Sequence, residues 1–240
     1  MLEAKGVSVR FGGHAAVIDV DLDVSPGAVT GLIGPNGAGK TTLFNVISGL
    51  QPATQGRVFL ATDDITSLAP HRRAQLGLAR TFQRLELFGS LSVRENLQVA
   101  AEYRGRGGNQ TADPVEKVAE TIAFVGLTDV ADVRADELST GRARLVELGR
   151  ALVTRPKVLL LDEPASGLDG SETDEFASIV GDLARSGMSV LLVEHDVPLV
   201  MRACSTIHVL DFGKIIASGT PDEIQSNDAV LDAYLGTRKS

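Results

Sequence analysis

The stretch that decides the fold of this 240-residue chain is Gly34-Pro35-Asn36-Gly37-Ala38-Gly39-Lys40-Thr41-Thr42. The apolar run 29–33 precedes it and predicts a buried strand, and the run 43–48 follows it and predicts a helix. A glycine-rich loop between a strand and a helix is the context of a phosphate-binding loop. The sequence therefore predicts a nucleoside triphosphate site at this loop.

The residue types of the loop indicate how it would bind phosphate. Glycines let backbone N–H groups turn inward around an anion, and the following helix adds the positive end of its dipole. Lys40 can reach the terminal phosphates, and the Thr41 hydroxyl can ligate Mg²⁺. The expected phosphate-binding residues are Asn36, Gly37, Ala38, Gly39, Lys40, Thr41 and Thr42.

Composition limits the class of protein. Hydrophobic residues make up 43% of the chain, which is typical of a globular protein, and the length allows one large domain with a subdomain. The formal net charge of −8 argues against nucleic acid as a partner. The single cysteine, Cys204, is expected in the core. Because no apolar run reaches the about 18 residues of a membrane span, we expect a cytoplasmic chain that meets the membrane only through a partner.

The periodicity predicts an α/β fold. Residues 2–11 and 17–24 are expected to form an antiparallel strand pair, and alternating strands and helices around the loop predict a mostly parallel sheet covered on both faces. A Ser92–Glu95 capping box opens a helical stretch. The Arg72-Arg73 pair of a short predicted helix is expected to face solvent, and residues 104–110 are expected to form a surface loop.

The expected organisation is a single domain with three parts. They are a nucleotide-binding core with a β subdomain over 1–88 and 155–218, an inserted helical subdomain over 89–154, and a C-terminal extension over 219–240.

Two adjacent carboxylates follow a buried-type strand. Asp162 and Glu163 end the apolar run 158–161, and in α/β sheets ligands bind at the carboxyl ends of the strands. Asp162 suits the Mg²⁺ shell, directly or through water. Glu163 suits an attacking water, which must be oriented and deprotonated.

Two further polar residues are predicted at strand ends. His195 follows the next buried-type strand, so we expect it at the same sheet edge, where it could donate a hydrogen bond to a γ-phosphate. Gln83 follows the predicted strand 78–82 and could touch the metal or the water.

Two sequence features, Phe11 and the helix start at Ser139, each allow two interpretations. Phe11 ends the first strand, where it could be a core aromatic residue or a ring that stacks on a nucleotide base. Ser139 and Gly141 open a predicted helix in the inserted region. Ser139 could be an ordinary N-cap, or the helix start could bind an anion belonging to a neighbouring subunit.

Taken together, these residues make the chain resemble the nucleotide-binding subunit of an ATP-binding cassette (ABC) transporter over essentially its full length. The motifs match in the family's order. Residues 34–42 match the Walker A motif, Gln83 matches the Q-loop, and residues 138–142 match the signature. Residues 158–163 match Walker B with the catalytic glutamate, residues 166–169 match the D-loop with Asp169, and His195 matches the switch histidine. Phe11 lies where the family has an adenine-stacking aromatic residue. The resemblance implies a P-loop NTPase fold with a RecA-like sheet.

Two stretches narrow the resemblance. Residues 78–97 look like the branched-chain amino acid importer ATPases, and the tail 219–236 is similar to the C-terminal extension of that subfamily. The lipopolysaccharide-export ATPases have a similar tail. The signature departs from the common Leu-Ser-Gly-Gly-Gln at Thr140 and Arg142, and Arg142 could aid phosphate binding or form a structural ion pair.

The resemblance also implies a mechanism and partners. ATP and Mg²⁺ would be bound by Lys40, Thr41, Asp162 and Gln83, and two subunits, identical or paralogous, would sandwich the nucleotide between one Walker A loop and the other subunit's Ser139 and Gly141. Asp169 would communicate across the dimer. Residues 84–90 would meet transmembrane permease subunits at the cytoplasmic side of the membrane, and an extracytoplasmic solute-binding protein is expected in the complex.

Three rival functions differ in partner or substrate. An exporter ATPase would share the same catalytic site, and a soluble ABC ATPase in cofactor assembly would lack a membrane partner. A P-loop nucleotide kinase would need an Arg-rich lid over a second substrate, which the sequence does not supply.

Overall fold

The computed structural model describes residues 1–105 and 114–235. The strands are β1 (Leu2–Phe11), β2 (His14–Val24), β3 (Val29–Ile33), β4 (Gln55–Leu60), β5 (Asp63–Asp64), β6 (Leu78–Arg80), β7 (Val158–Asp162), β8 (Ser189–Val193), β9 (Thr206–Asp211) and β10 (Lys214–Gly219). The helices are α1 (Lys40–Ser48), α2 (Pro70–Leu76), α3 (Val93–Gly105), α4 (Pro114–Phe124), α5 (Thr140–Leu152), α6 (Gly170–Arg185), α7 (Val197–Ala203), α8 (Pro221–Gln225) and α9 (Asp228–Leu235).

The strands form two sheets. One is antiparallel in the order β2-β1-β4-β5, which confirms the predicted pairing of the first two strands. The other has the order β10-β9-β3-β8-β7-β6, with parallel pairs from β9 to β6 and an antiparallel edge strand. The α/β class and the mostly parallel sheet are therefore as the sequence predicts.

The apolar runs of the central strands are explained by burial on both faces of the sheet. In β7, Leu159 and Leu161 pack into one hydrophobic cluster, whereas Val158 and Leu160 pack into another that also contains side chains of α1 and the antiparallel sheet. The same alternation holds in β8. A strand covered on both sides needs apolar residues at every position.

The register of the parallel strands brings their carboxyl ends to one edge. Val193 of β8 lies opposite both Leu32 of β3 and Asp162 of β7. The loop 34–39 after β3, the acidic pair after β7 and the segment after β8 therefore emerge side by side. This edge is where the sequence predicts the site.

Between residues 92 and 153 the described chain is mainly helical. The Ser92–Glu95 capping box is present, since the Glu95 N–H donates to Ser92 Oγ at 3.2 Å and the Ser92 N–H donates to Glu95 Oε2 at 2.8 Å. The loop expected at 104–110 lies outside the described residues except for its first two, which end α3. No helix of the described chain is long and apolar enough to cross a membrane.

Three local expectations can be compared with the structure. Cys204 is buried, as predicted. The strand expected at 78–82 ends at Arg80, so Gln83 lies three residues beyond it. The expectation that Arg73 faces solvent is wrong: its side chain is 2% exposed and donates to backbone carbonyls at the end of α1, while its neighbour Arg72 is exposed.

Candidate functional site

The phosphate loop contains two glycines, Gly34 and Gly39, whose positions leave no room for a Cβ. Gly34 has φ +151°, and a Cβ there would lie 2.0 Å from the carbonyl oxygen of Leu210. Gly39 has φ +108°, and its Cβ would lie 2.4 Å from the carbonyl oxygen of Ala16. The loop therefore runs directly against the backbones of β9 and β2.

Lys40 starts α1 and turns its ammonium group back onto the loop. Its Nζ donates to the carbonyl oxygens of Gly34 at 2.6 Å and Pro35 at 3.0 Å. Burial lowers the pKa of Lys40, and the nearby charge of Glu163 opposes that shift. The positive charge is thus held inside the loop and close to the acidic end of β7.

The start of α1 is suited to an anion. No side chain caps it, and its first turn carries no acidic residue. Asn36, Gly37 and Thr41 are exposed around it. A helix N-terminus with a buried lysine and no side-chain cap can use a phosphate group as its cap.

The acidic pair lies where the sequence predicts it, at the end of β7. Asp162 is 5% exposed, and burial raises the pKa of its carboxyl, opposed by the nearby guanidinium of Arg80. Arg80 Nη2 donates to Asp162 Oδ2 at 3.0 Å, a contact that sequence reasoning missed. Glu163 follows at φ +45°, with its N–H bonded to the carbonyl oxygen of Val193 at 2.8 Å.

Gln83, Glu163 and His195 converge at the same edge. Gln83 Nε2 donates to Glu163 Oε2 at 2.9 Å, and His195 Nδ1 lies 3.7 Å from that oxygen. The His195 side chain is 62% exposed, so it borders open solvent rather than the core. Residues 83, 163 and 195 thus form one polar cluster drawn from three separate segments.

A buried carboxylate that the sequence analysis did not single out holds this edge together. Glu194 is 0% exposed and accepts hydrogen bonds from the N–H groups of Ala165 at 2.8 Å, His195 at 3.0 Å and Asp196 at 3.4 Å. Burial raises the pKa of Glu194, and these bonds and His195 oppose the rise. Its signal in the sequence was a carboxylate directly after an apolar strand, the same signal that marked Asp162.

The backbone at Gln83 is held by α5. Arg144 donates to the carbonyl oxygens of Phe82 at 3.2 Å and Gln83 at 2.8 Å, and Glu147 accepts from the Phe82 N–H at 3.1 Å. Arg144 and Glu147 form a buried ion pair at 3.1 Å. The helix that begins at Ser139 is therefore linked directly to the Gln83 segment.

Ser139 and Gly141 lie elsewhere, against the start of α6. Ser139 is the N-cap of α5 and accepts from the Arg142 N–H at 3.4 Å. A Cβ on Gly141 would lie 2.2 Å from Glu172, which shares a capping box with Asp169. Since Ser139 is exposed, the cap leaves it accessible at the surface.

Of the two interpretations left open for Arg142, the structure shows the ion pair, with Arg142 Nη2 at 2.8 Å from Asp129 Oδ2. Phe11 is 50% exposed at the end of β1, which excludes the core-aromatic interpretation. Its stacking on a nucleotide base stays a prediction.

The segment 84–90 is exposed and apolar in part. Leu85 is 38% and Phe88 46% exposed, next to Phe82 at 40%. Arg150 of α5 supports the segment, with its guanidinium 4.9 Å from the centre of the Phe88 ring and a hydrogen bond to the carbonyl oxygen of Glu86. Residues 82–88 therefore present aromatic and aliphatic side chains to the outside.

Sequence comparison places these features in a known family. The profile described as ABC transporter matches residues 17–166, and the profile described as branched-chain amino acid ATP-binding cassette transporter matches residues 214–240. The chain is 39% identical to the high-affinity branched-chain amino acid transport ATP-binding protein BraF of Pseudomonas aeruginosa, and 36% identical to LivG, of the same description, from Escherichia coli. Each alignment covers 98% of both chains. The lipopolysaccharide export system ATP-binding protein LptB of Haemophilus influenzae is 36% identical over 98% of this chain and 97% of its own.

Comparison with solved structures finds the same family. A nucleotide-free ATP-binding cassette from an ABC transporter superposes with a TM-score of 0.88 at 32% identity, and an ADP conformation of such a cassette with a TM-score of 0.89 at 31% identity. Each match covers 99% of both chains.

Proposed function

Because this chain belongs to the ABC transporter family of ATP-binding proteins, we propose that it hydrolyses ATP to ADP and phosphate and thereby powers the import of branched-chain or other hydrophobic amino acids. The observation that carries the proposal is the convergence of Gln83, Glu163 and His195 close to Lys40. The substrate class is supported by the C-terminal match and by the names of the relatives.

In the proposed site, residues 36–42 hold the phosphates of ATP. The Lys40 ammonium group neutralises the terminal phosphates, and the uncapped start of α1 supplies N–H donors. Phe11 stacks on the adenine, which is consistent with a half-exposed ring at the end of a strand.

Thr41, Gln83 and Asp162 would hold Mg²⁺. A hydroxyl, an amide oxygen and a carboxylate are the hard oxygen donors that this ion prefers, and the Gln83 amide nitrogen is already bonded to Glu163, which leaves its oxygen as the acceptor. When bound, the ion would neutralise charge on the β- and γ-phosphates.

Hydrolysis needs a base that orients water and a donor that stabilises the developing charge. Glu163 takes the first role, with Gln83 fixing one of its oxygens. His195 takes the second, since its exposed ring lies 3.7 Å from the same carboxylate and can turn toward a γ-phosphate.

The site is completed by a second subunit, identical or paralogous. Ser139 and Gly141 start a helix whose N-cap is exposed, and they would close over the γ-phosphate bound by the partner. Asp169 lies at the start of α6, beside that segment, and would communicate across the dimer.

The exposed segment 84–90 would meet transmembrane permease subunits at the cytoplasmic side of the membrane. Its link through Arg144 and Glu147 to Gln83 would carry motion between the permease and the catalytic edge. A solute-binding protein on the other side of the membrane would deliver the amino acid.

The proposal is tested with Glu163→Gln. We expect ATP turnover to fall at least about a hundredfold and the variant to form a stable dimer with ATP, seen as an earlier peak in size-exclusion chromatography. Glu116→Gln, at an exposed glutamate of α4, is the control and should behave as wild type. A Glu163→Gln chain that kept its turnover, or stayed monomeric with ATP while the wild type dimerised, would contradict the proposal.

A second candidate function is export of the lipopolysaccharide type, favoured by the 36% identity to LptB. The two functions share the ATPase site and differ in the membrane partner. The test is ATP-dependent leucine uptake into proteoliposomes reconstituted with this chain and with the permease and solute-binding proteins encoded beside it. Uptake would support import, and no uptake while the complex still hydrolyses ATP would favour export.

A further inference from the structure

Arg80 joins the proposed metal site to two neighbouring elements. It is the last residue of β6, and its guanidinium donates to Asp162 Oδ2 at 3.0 Å, to Asn45 Oδ1 at 2.8 Å and to Ser48 Oγ at 2.9 Å. The side chains of Arg80 and Asp162 are 13% and 7% exposed. The pair is thus screened from solvent, unlike the surface ion pairs of this chain.

Aromatic rings hold the guanidinium in place. It lies 4.6 Å from the centre of the Phe44 ring and 5.0 Å from that of Phe82. With α1 on one side, Phe82 on another and Asp162 in front, the planar group has a single orientation. The arrangement does more than fill space, because an apolar side chain between the rings would leave Asp162 without its donor and counter-ion.

The position of this cation has a consequence for metal binding. Asp162 is the carboxylate proposed to hold Mg²⁺, and one of its oxygens is already bonded to Arg80. Magnesium keeps a strict geometry and is sensitive to the charge and freedom of its ligands. A fixed positive charge 3.0 Å from the carboxylate both neutralises it and competes for it.

We propose that Arg80 is a positioning residue that serves as the internal counter-ion of Asp162 and competes with Mg²⁺ for its carboxylate, so that it sets how strongly nucleotide binding depends on magnesium. The inference rests on the proposed function, because it assumes that the loop 34–42 binds ATP with Mg²⁺. A purely structural role for Arg80 would change the stability of the chain but not this dependence.

The test measures the affinity of the full-length chain for a fluorescent, non-hydrolysable ATP analogue, with saturating Mg²⁺ and with EDTA. The readout is the affinity with saturating Mg²⁺ divided by the affinity with EDTA. In Arg80→Met we expect this ratio to rise about fivefold or more, because Asp162 is left as an uncompensated carboxylate that repels free nucleotide and attracts the ion. Arg80→Lys keeps a positive charge but loses the planar fork that bonds Asp162, Asn45 and Ser48, so it should raise the ratio less than Arg80→Met does.

Two comparisons make the result specific. In an Asp162→Asn background, Arg80→Met should leave the ratio unchanged, because the carboxylate for which the two cations compete is gone. Arg72→Met removes the same charge from an exposed position and should have no effect. If Arg80→Met does not fold, Arg80→Gln, which retains a donor for Asn45, carries the same expectation.

A ratio that falls or stays the same in the folded neutral variants would overturn the inference, as would an effect that persists in the Asp162→Asn background. Failure of the proposed function gives a different result: the wild-type chain would then not bind the analogue, with or without Mg²⁺.

Discussion

Replacing Arg73 with methionine should destabilise the chain far more than the same change at its neighbour. Arg73 donates at 2.7 Å to the carbonyl oxygens of Val46 and Ile47, the last turn of α1, and at 2.9 Å to those of Leu68 and Thr66. Methionine replaces the aliphatic stem of arginine but ends near the position of Nε, so it lacks the guanidinium and donates nothing. The four carbonyls therefore lose a charged donor at once.

The magnitude follows from the burial of those carbonyls. The bonds to Leu68 and Thr66 are partly exposed, so water can replace them, whereas those to Val46 and Ile47 are buried. A buried acceptor left without a donor costs about 1–3 kcal/mol, so two of them cost about 2–6 kcal/mol. Two effects reduce this cost: the Val46 carbonyl still accepts from the Gly49 N–H, and the variant no longer has to bury the Arg73 charge. The expected loss of unfolding free energy is therefore about 3 kcal/mol.

The assay is thermal unfolding of the purified chain without nucleotide. For a chain of this size about 3 kcal/mol corresponds to a drop in Tm of about 6–12 °C. Arg72→Met is the matched control: the Arg72 side chain is exposed and donates to the exposed Gln75 side chain, so the Tm of this variant should change by no more than about 2 °C. Equal Tm values for the two variants would refute the reasoning.

Three further predictions use other sites. Burial lowers the pKa of His208 below its usual value, so the unfolded chain binds more protons and stability is lost as the pH falls below about 6.5. His208→Gln should therefore reduce the loss of unfolding free energy between about pH 7.5 and pH 5, whereas His71→Gln, at an exposed histidine, should not. If the unfolding free energy of the two variants falls equally with pH, His208 is not the group responsible. Gly39→Ala should lower nucleotide affinity at least about tenfold, because the Gly39 backbone is left-handed and a Cβ would lie 2.4 Å from a carbonyl oxygen. Gly13→Ala, where a Cβ meets open space, is the control in the same binding titration. Similar affinities of the two variants would contradict the reasoning. Burial raises the pKa of Cys204 to about 12, so an aromatic disulfide reagent should label it only in denaturant, and fast labelling of the native chain would be inconsistent with that burial.

The features predicted correctly from sequence are those set by neighbours along the chain. The loop 34–39 needs left-handed backbone at its glycines, and the capping box at Ser92 joins residues three apart. Such hydrogen bonds and backbone limits are local, so a short stretch is enough to specify them. The continuous apolar runs of β7 and β8 likewise predict strands buried on both faces.

The features that were missed or wrong depend on distant partners. Arg73 and Arg72 look alike in sequence, yet only Arg73 lies under the end of α1, which is 26 residues away. Arg80 is a charge in a short strand, and nothing near it in sequence indicates Asp162, 82 residues on. Glu194 accepts hydrogen bonds from its neighbours His195 and Asp196, but its third donor, the N–H of Ala165, lies 29 residues away in the chain.

By itself the sequence determined the phosphate loop, the α/β class and the candidate residues Lys40, Asp162, Glu163 and His195, because each follows from local spacing within a strand–loop–helix pattern. Only the tertiary structure decided that Gln83 bonds Glu163 and that neighbouring residues hold both in place. These contacts join residues that are 80 and 61 positions apart in the chain, and the order and register of the parallel strands bring the segments together. Register is a property of the whole sheet, so no short stretch of the sequence contains it.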